Sequence, residues 1–249
     1  MKTKRILLTA MAMLATGLLF TSIQGCSKDV ADETSTTTLS DDYKADVIEY
    51  TYIDPLACIP QSCIDSLPLE PLNQGEIDAL TFLREEELLA HDVYEALSGL
   101  YTKPVFLNIS KSELAHTNAI KALLVKYQLT DPAATHVSGT FVNPDLQNLY
   151  TMLVSKGSTS LLDGLTVGAT IEDLDISDLQ KQLVLIDNQD ITLVFNNLMK
   201  GSRNHLRSFY ANILFNKGTY TPQYISQEEF DLIITSSHEF GTSGCTCQN

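Results

Sequence analysis

The stretch SELAHTNAIKALL, Ser112 to Leu124, sets Glu113 and His116 three residues apart inside an apolar helical pattern. Residues at i and i+3 share one face of a helix. That face also carries Ile109, Ile120, Leu123 and Tyr127, so a carboxylate and an imidazole are aimed at the side that is to be buried. Buried charge is expensive unless it is paired or bound to a metal. Three other segments repeat the pattern. Glu87 interrupts the stripe Ile77, Leu80, Leu83, Ala90, Tyr94 and Leu97. Glu172 and Asp175 share a face with Leu161, Leu165, Gly168 and Leu179, and His205 shares one with Ile191, Val194, Phe195, Leu198, Ser202 and Phe209. One such residue means little, because its tip usually reaches water from the edge of the stripe. Four segments with the same feature are harder to produce by accident. Acids meeting in one core repel each other and raise their pKa values, whereas divalent cations remove that conflict and also accept neutral His nitrogens. Spacing alone does not separate Glu87 from Glu86, which lies on an overlapping face with Leu83, Leu89 and Val93.

These residues need helices to position them. The first helix is expected over about 73–100, with Asn73 and Glu76 at capping-box distance. A connection containing Pro104 spans 102–107, and the second helix runs from Asn108 or Ser110 to Leu129, stopped by Asp131-Pro132. A long crossover follows, with a short helix at about 143–156. The third helix covers about 158–186, with a kink expected at Gly164 or Gly168, and the fourth about 187–215. A last short helix, SQEEFDLIITSS, packs across them. A long crossover suits a bundle whose second and third helices run parallel. The expected fold class is therefore all-α, a four-helix bundle with a long crossover between helices two and three and a short extra C-terminal helix.

The chain has 249 residues, 44% of them hydrophobic, enough for one sizeable domain plus tails. Its formal charge of −15 argues against nucleic acid as a partner. The first 25 residues have a basic start, an apolar run and a small residue before Cys26, the layout of an export signal. The ending resembles a bacterial lipobox, with Ile23, Gly25 and Cys26 in place and Gln24 as a departure. That resemblance implies lipidation of Cys26 and a membrane partner through the lipid; the plain alternatives are a secretory signal cut nearby or an uncleaved anchor. The expected organisation is a signal peptide over 1–25, an acidic Ser/Thr-rich tether and lead-in over 26–72, a helical bundle over 73–240 and a Cys-containing tail over 241–249. The tether is too polar to order itself, and the Pro-rich stretch 50–72 is read as extended. Its acidic SKDVADE is similar to surface-export signals of some Bacteroidetes-type lipoproteins. The expected location is the bacterial cell envelope, anchored to the outer membrane, with surface exposure as the further option.

Beyond Cys26, four cysteines remain, Cys58, Cys63, Cys245 and Cys247. Three pairings are open, and a disulfide joining lead-in to tail is the preferred one. A four-Cys metal site lacks the Cys-x-x-Cys spacing of zinc ribbons. No nucleophile elbow or Gly-rich phosphate loop is present.

The ligand pattern resembles that of ferritin-like carboxylate bundles, which take a Glu from each of two helices and a Glu-x-x-His from each of the other two. Glu113 and His116 match fully. Glu87 and Tyr94 have the seven-residue spacing of the rubrerythrin and ferritin first helix, which favours Glu87 over Glu86. Glu172 and Asp175 match the two acids of the rubrerythrin third helix. The fourth helix departs, with Ser202 where the pattern has Glu, three residues before His205; this leaves Asp175 to take over or the second metal in doubt. REEELLAHDVY, ISKSELAHTNAIKALL, GATIEDLDISDL and GSRNHLRSF are similar to the ferritin-like family called domain of unknown function 2202, over about residues 73–217.

The resemblance implies a ferritin-like fold; the function expected on it is the binding of an iron or manganese pair by Glu87, Glu113, His116, Glu172, Asp175 and His205, and reaction with oxygen or peroxide. No rubredoxin-like cysteine pair is present, so an enzyme of this kind needs an external electron donor. The alternative is a non-catalytic interaction or structural module whose core acids pair with Arg84, Arg203 or Arg207. A storage cage ranks lower, since a lipid tether makes a closed shell awkward, and a homodimer stays open.

Overall fold

The computed structural model describes residues 61–240. The expected signal peptide, the expected lipidation site Cys26, most of the expected tether, Cys58, Cys245, Cys247 and the tail lie outside the described residues. Cys63 is within them and is disulfide-bonded.

Among the described residues seven helices follow in order: α1 Gln61–Ser66, α2 Gln74–Leu100, α3 Pro104–Lys126, α4 Pro144–Gly157, α5 Leu161–Leu183, α6 Gln189–Phe215 and α7 Gln227–Thr235. Apart from an isolated bridge between Val137 and Thr140, the described residues hold no β pairing. The all-α expectation holds, with the long crossover and the short C-terminal helix in place. None of the described helices is long and apolar enough to cross a membrane.

Local sequence explains the helix ends. Asn73 accepts from the Glu76 N–H while Glu76 accepts from the Asn73 N–H, the reciprocal box expected at the start of α2. The second Glu76 oxygen accepts from the N–H groups of Asp187 and Asn188, tying the start of α6 to the start of α2. Two expectations are corrected. α3 begins at Pro104 rather than at Asn108 or Ser110, because proline at a first helical position lacks only an N–H that has no helical partner there. The stretch read as an extended lead-in contains α1, whose Ile64 is buried and whose carbonyl accepts from Lys126 Nζ at 2.8 Å.

α5 runs as one α-helix through Gly164 and Gly168, where a kink was expected. Gly168 serves close approach instead: a Cβ there would collide with the Phe209 ring of α6.

The helices pack as α2 against α3 and α5 against α6, with α3 also meeting α6 and α2 meeting α5. The apolar interior falls into two clusters that fix the helix directions. One holds Leu80 and Leu83 of α2, Ile120 and Leu123 of α3, Leu179 of α5 and Ile191 to Leu198 of α6. The other holds Val93 and Leu97, Phe106 and Ile109, Leu165 and Ile176, and Leu206 and Phe209 from the same four helices. α3 and α5 thus run one way between the clusters, and α2 and α6 the other. A parallel α3 and α5 is what the long crossover requires. α4, within the crossover, lies against α2 and α5.

Candidate metal centre

The candidate ligands occupy the middle of each long helix, between the two apolar clusters. Glu87, Glu113, His116, Glu172, Asp175, Ser202 and His205 are all buried, and His116 and His205 have no exposed surface. The structure brings all six expected ligands into one layer.

Glu113 is central. Its Oε2 lies 2.8 Å from His116 Nδ1, and its Oε1 lies 2.7 Å from His205 Nδ1. His116 Nδ1 is also 3.1 Å from Glu87 Oε2, and His205 Nδ1 is 3.3 Å from Glu172 Oε2. Two triads therefore share Glu113: Glu87, Glu113 and His116, and Glu113, Glu172 and His205, each with ligand atoms within 4.8 Å of one another. The two imidazoles stack at 5.3 Å between centroids, 19° from parallel. Ser112 Oγ lies 2.8 Å from His205 Nε2, while His205 Nδ1 faces the acids. Tyr94 donates to Glu172 Oε1 at 2.5 Å, and Ser202 donates to Asp175 Oδ2.

The substitution of Ser202 for a Glu thus removes one acid and positions another. Asp175 Oδ1 is left without a hydrogen-bond partner, as are Glu87 Oε1 and both oxygens of Glu86. Buried polar atoms are almost always bonded, so a cluster of bare carboxylate oxygens is a place where a cation could sit.

Other buried acids of this chain behave differently. Glu85 accepts from the N–H groups of Val142 and Asn143. Asp92 accepts from the Gly139 N–H and faces His136 Nε2. Asp173 accepts from the Gln223, Tyr224 and Ile225 N–H groups and from the Tyr220 hydroxyl. These side chains fasten loops to the bundle. A further grouping, His91, Asp92 and Glu95, lies at the edge of α2, but Asp92 is already engaged and His91 Nδ1 is 2.7 Å from the Ser110 carbonyl.

Without a cation the layer must hold protons. Burial pushes Glu172 up to about 7, with help from the Glu113 charge, and pushes Asp175 up to about 8, with help from Glu172. Burial also lifts Glu86 and Glu87 well above the usual carboxylate range. Glu113 goes the other way: burial opposes its charge, but His116 and His205 hold it below that range. Burial works against a charged His205, yet Glu113 and Glu172 raise it to about 10. Divalent cations would take the place of these protons, and the donor set of carboxylates and imidazoles suits iron or manganese.

The arginines proposed as internal partners are engaged elsewhere. Arg84 pairs with Asp131 at 3.0 Å and bonds to Thr117, although it lies three residues before Glu87. Arg203 pairs with Glu239. Arg207 bonds to the Ile233 carbonyl, Asn204, Ser236 and Glu239.

Ser112 was not singled out as a site residue in the sequence, and Glu86 was weighed there only as the alternative to Glu87. Ser112 precedes Glu113 by one residue, and only the placement of α6 shows that it meets His205. Glu86 and Glu87 are both buried, and Glu87 is the one beside His116. A cavity of about 20 Å3 adjoins the layer, lined by Glu86, Glu87, Glu113, Glu172 and Asp175 under Leu149 and Leu153 of α4. That is room for a water molecule or a small ion.

Residues 76–237 match the family described as uncharacterized protein domain DUF2202. The chain is 51% identical over 179 residues to the uncharacterized protein MJ0754 of Methanocaldococcus jannaschii, covering 72% of this chain and 96% of that protein. It is also similar to the crystal structure of hypothetical protein MJ0754 from Methanococcus jannaschii, with a TM-score of 0.69 and 49% identity, over 70% of this chain and 99% of that one.

Proposed function

The chain belongs to the DUF2202 family, and on that premise we propose that its bundle is a ferritin-like carboxylate protein holding a pair of iron or manganese ions and reacting with oxygen or peroxide. The observation that carries this reading is Glu113, whose two oxygens face two different imidazoles, each backed by a further Glu. Glu87 and His116 would complete one ion's protein ligands and Glu172 and His205 the other's. Asp175, oriented by Ser202 and with its other oxygen unbonded, would add a further carboxylate oxygen.

The metal pair, when bound, supplies the redox chemistry. The chain's own residues bind, orient and exclude water. Ser112 fixes the His205 ring, Tyr94 orients Glu172 by donating a hydrogen bond to it, and α4 roofs the cavity with leucine side chains. Electrons come from an external donor, since the sequence has no rubredoxin-like cysteine pair. The lipobox-like ending at Cys26 supports a lipid anchor and a place at the cell envelope, with the acidic tether spacing the bundle from the membrane.

Metal analysis after anaerobic loading with Fe(II) or Mn(II) tests the proposal. About two ions per chain are expected, with loss of both in Glu113→Ala. Metal content that stays substoichiometric, or that ignores Glu113→Ala, contradicts it.

A further inference from the structure

Glu86 has no role in the centre described above, yet it is only 7% exposed and both of its oxygens lack a hydrogen-bond partner among the described residues. It lines the same cavity as Glu87 and Asp175. A carboxylate in this setting is costly to keep unless something cationic visits it.

Its surroundings give the visitor a direction. Glu172, Asp175 and Asp178 stand at three-residue intervals along α5, so they form a ladder on one helix face. Glu172 and Asp175 belong to the centre. Asp178, one turn further, is buried at 3% exposure, but its ion-pair partner Lys181 is 44% exposed and lies 2.7 Å away. An ion pair with one end in solvent is weakly held, so the Lys181 side chain can swing aside. Leu149 and Leu153 line the cavity from the α4 side, and Glu86 of α2 and Asp175 of α5 line it as well; of the charges around Glu86, that of Asp178 acts on it most strongly.

We propose that Glu86, together with Asp178, is a cation-acquisition station: a divalent ion displaces Lys181, is held by Glu86 and Asp178, and passes to Glu87 and Asp175. The station rests on the metal-centre reading for its destination but not for its own binding. Carboxylates lining one approach raise the local cation concentration and the on-rate. The ion moves without redox change, so Lys181 returns to Asp178 as the cation leaves.

Mn(II) alone, added to the full chain, is the probe. Free Mn(II) is counted by electron paramagnetic resonance, and uptake is followed by stopped flow. Glu86→Gln and Asp178→Asn are expected to fill the centre to the wild-type final level but about tenfold more slowly. Glu113→Ala is expected to lose the paired ions and keep one weaker ion that Glu86→Gln removes. Uptake at the wild-type rate in both Glu86→Gln and Asp178→Asn overturns the proposal, even if the paired ions bind as described. If only a weak Glu86-dependent ion binds to the wild type, the paired centre fails while the station stands. If the wild type binds no Mn(II), both are overturned.

Discussion

His116 and His205, from helices that run in opposite directions, stack their rings 5.3 Å apart on either side of Glu113. Two imidazoles this close gain nothing from each other when both are charged. They face one carboxylate through the same ring atom, Nδ1, and each has a second Glu within 3.3 Å. The arrangement makes Glu113 the one acid that both halves of the layer depend on.

Replacing Glu113 by Gln therefore leaves two buried imidazoles without their shared counter-charge. Loss of one partner of a buried ion pair costs about 3–5 kcal/mol. Chemical denaturation of the metal-free protein is expected to show a loss in that range. A change near zero would mean that Glu113 holds neither ring.

The metal-free protein is expected to melt at lower temperature as pH rises from about 6 to 9. Glu172 at about 7, Asp175 at about 8 and His205 at about 10 all lie above their ordinary values. The folded state thus binds protons that the unfolded chain has released, and this stabilisation is lost as pH climbs through each folded value. Glu113 has the opposite sign, but its contribution disappears only in strong acid. Saturating Mn(II) should flatten or reverse the slope, because metal binding competes with these protons. Calorimetry at several pH values, with and without metal, checks both parts; a metal-free melting temperature that rises toward pH 9 contradicts the protonated layer.

Tyr94→Phe removes the hydroxyl that donates to Glu172. A hydrogen bond behind a metal ligand typically changes metal affinity by about 10–100-fold. Mn(II) titration should show one of the two ions weakened by that order and the other little changed, since Tyr94 touches only the Glu172 half. Equal weakening of both ions would assign Tyr94 a general packing role.

Gly168→Ala tests the close packing of α5 on α6. The added methyl meets the Phe209 ring, and overpacking of this kind costs about 1–3 kcal/mol. Thermal melting of the variant should show the loss even when metal is absent. An unchanged melting temperature would mean that Phe209 moves aside freely.

Much of the bundle was legible in the sequence because helical spacing and helix caps are local properties. Asn73 with Glu76 marked the start of α2, and the stripe positions of Glu87, Glu113, Glu172 and His205 showed that they face inward. What sequence could not show was partnership. Arg84 sits three residues before Glu87 yet turns to Asp131, 47 positions further along the chain. Glu85, Glu86 and Glu87 are consecutive acids, all buried. One caps the crossover, one lines a cavity and one faces His116. Those differences come from α3, α4 and α5 packing around α2, so no pattern within α2 could separate them. The Pro104 start of α3 was a misreading of a different sort, in which a residue that opens a helix was taken for one that interrupts it.

Anomalous diffraction from crystals loaded anaerobically with Fe(II) or Mn(II), recorded at the metal edge, tests the shared role of Glu113 most directly. Two peaks are expected, one between Glu87 and His116 and the other between Glu172 and His205, with one oxygen of Glu113 directed to each. A loaded crystal with no peak in this layer, or with peaks only at surface carboxylates while Glu113 still bonds both imidazoles, would contradict it.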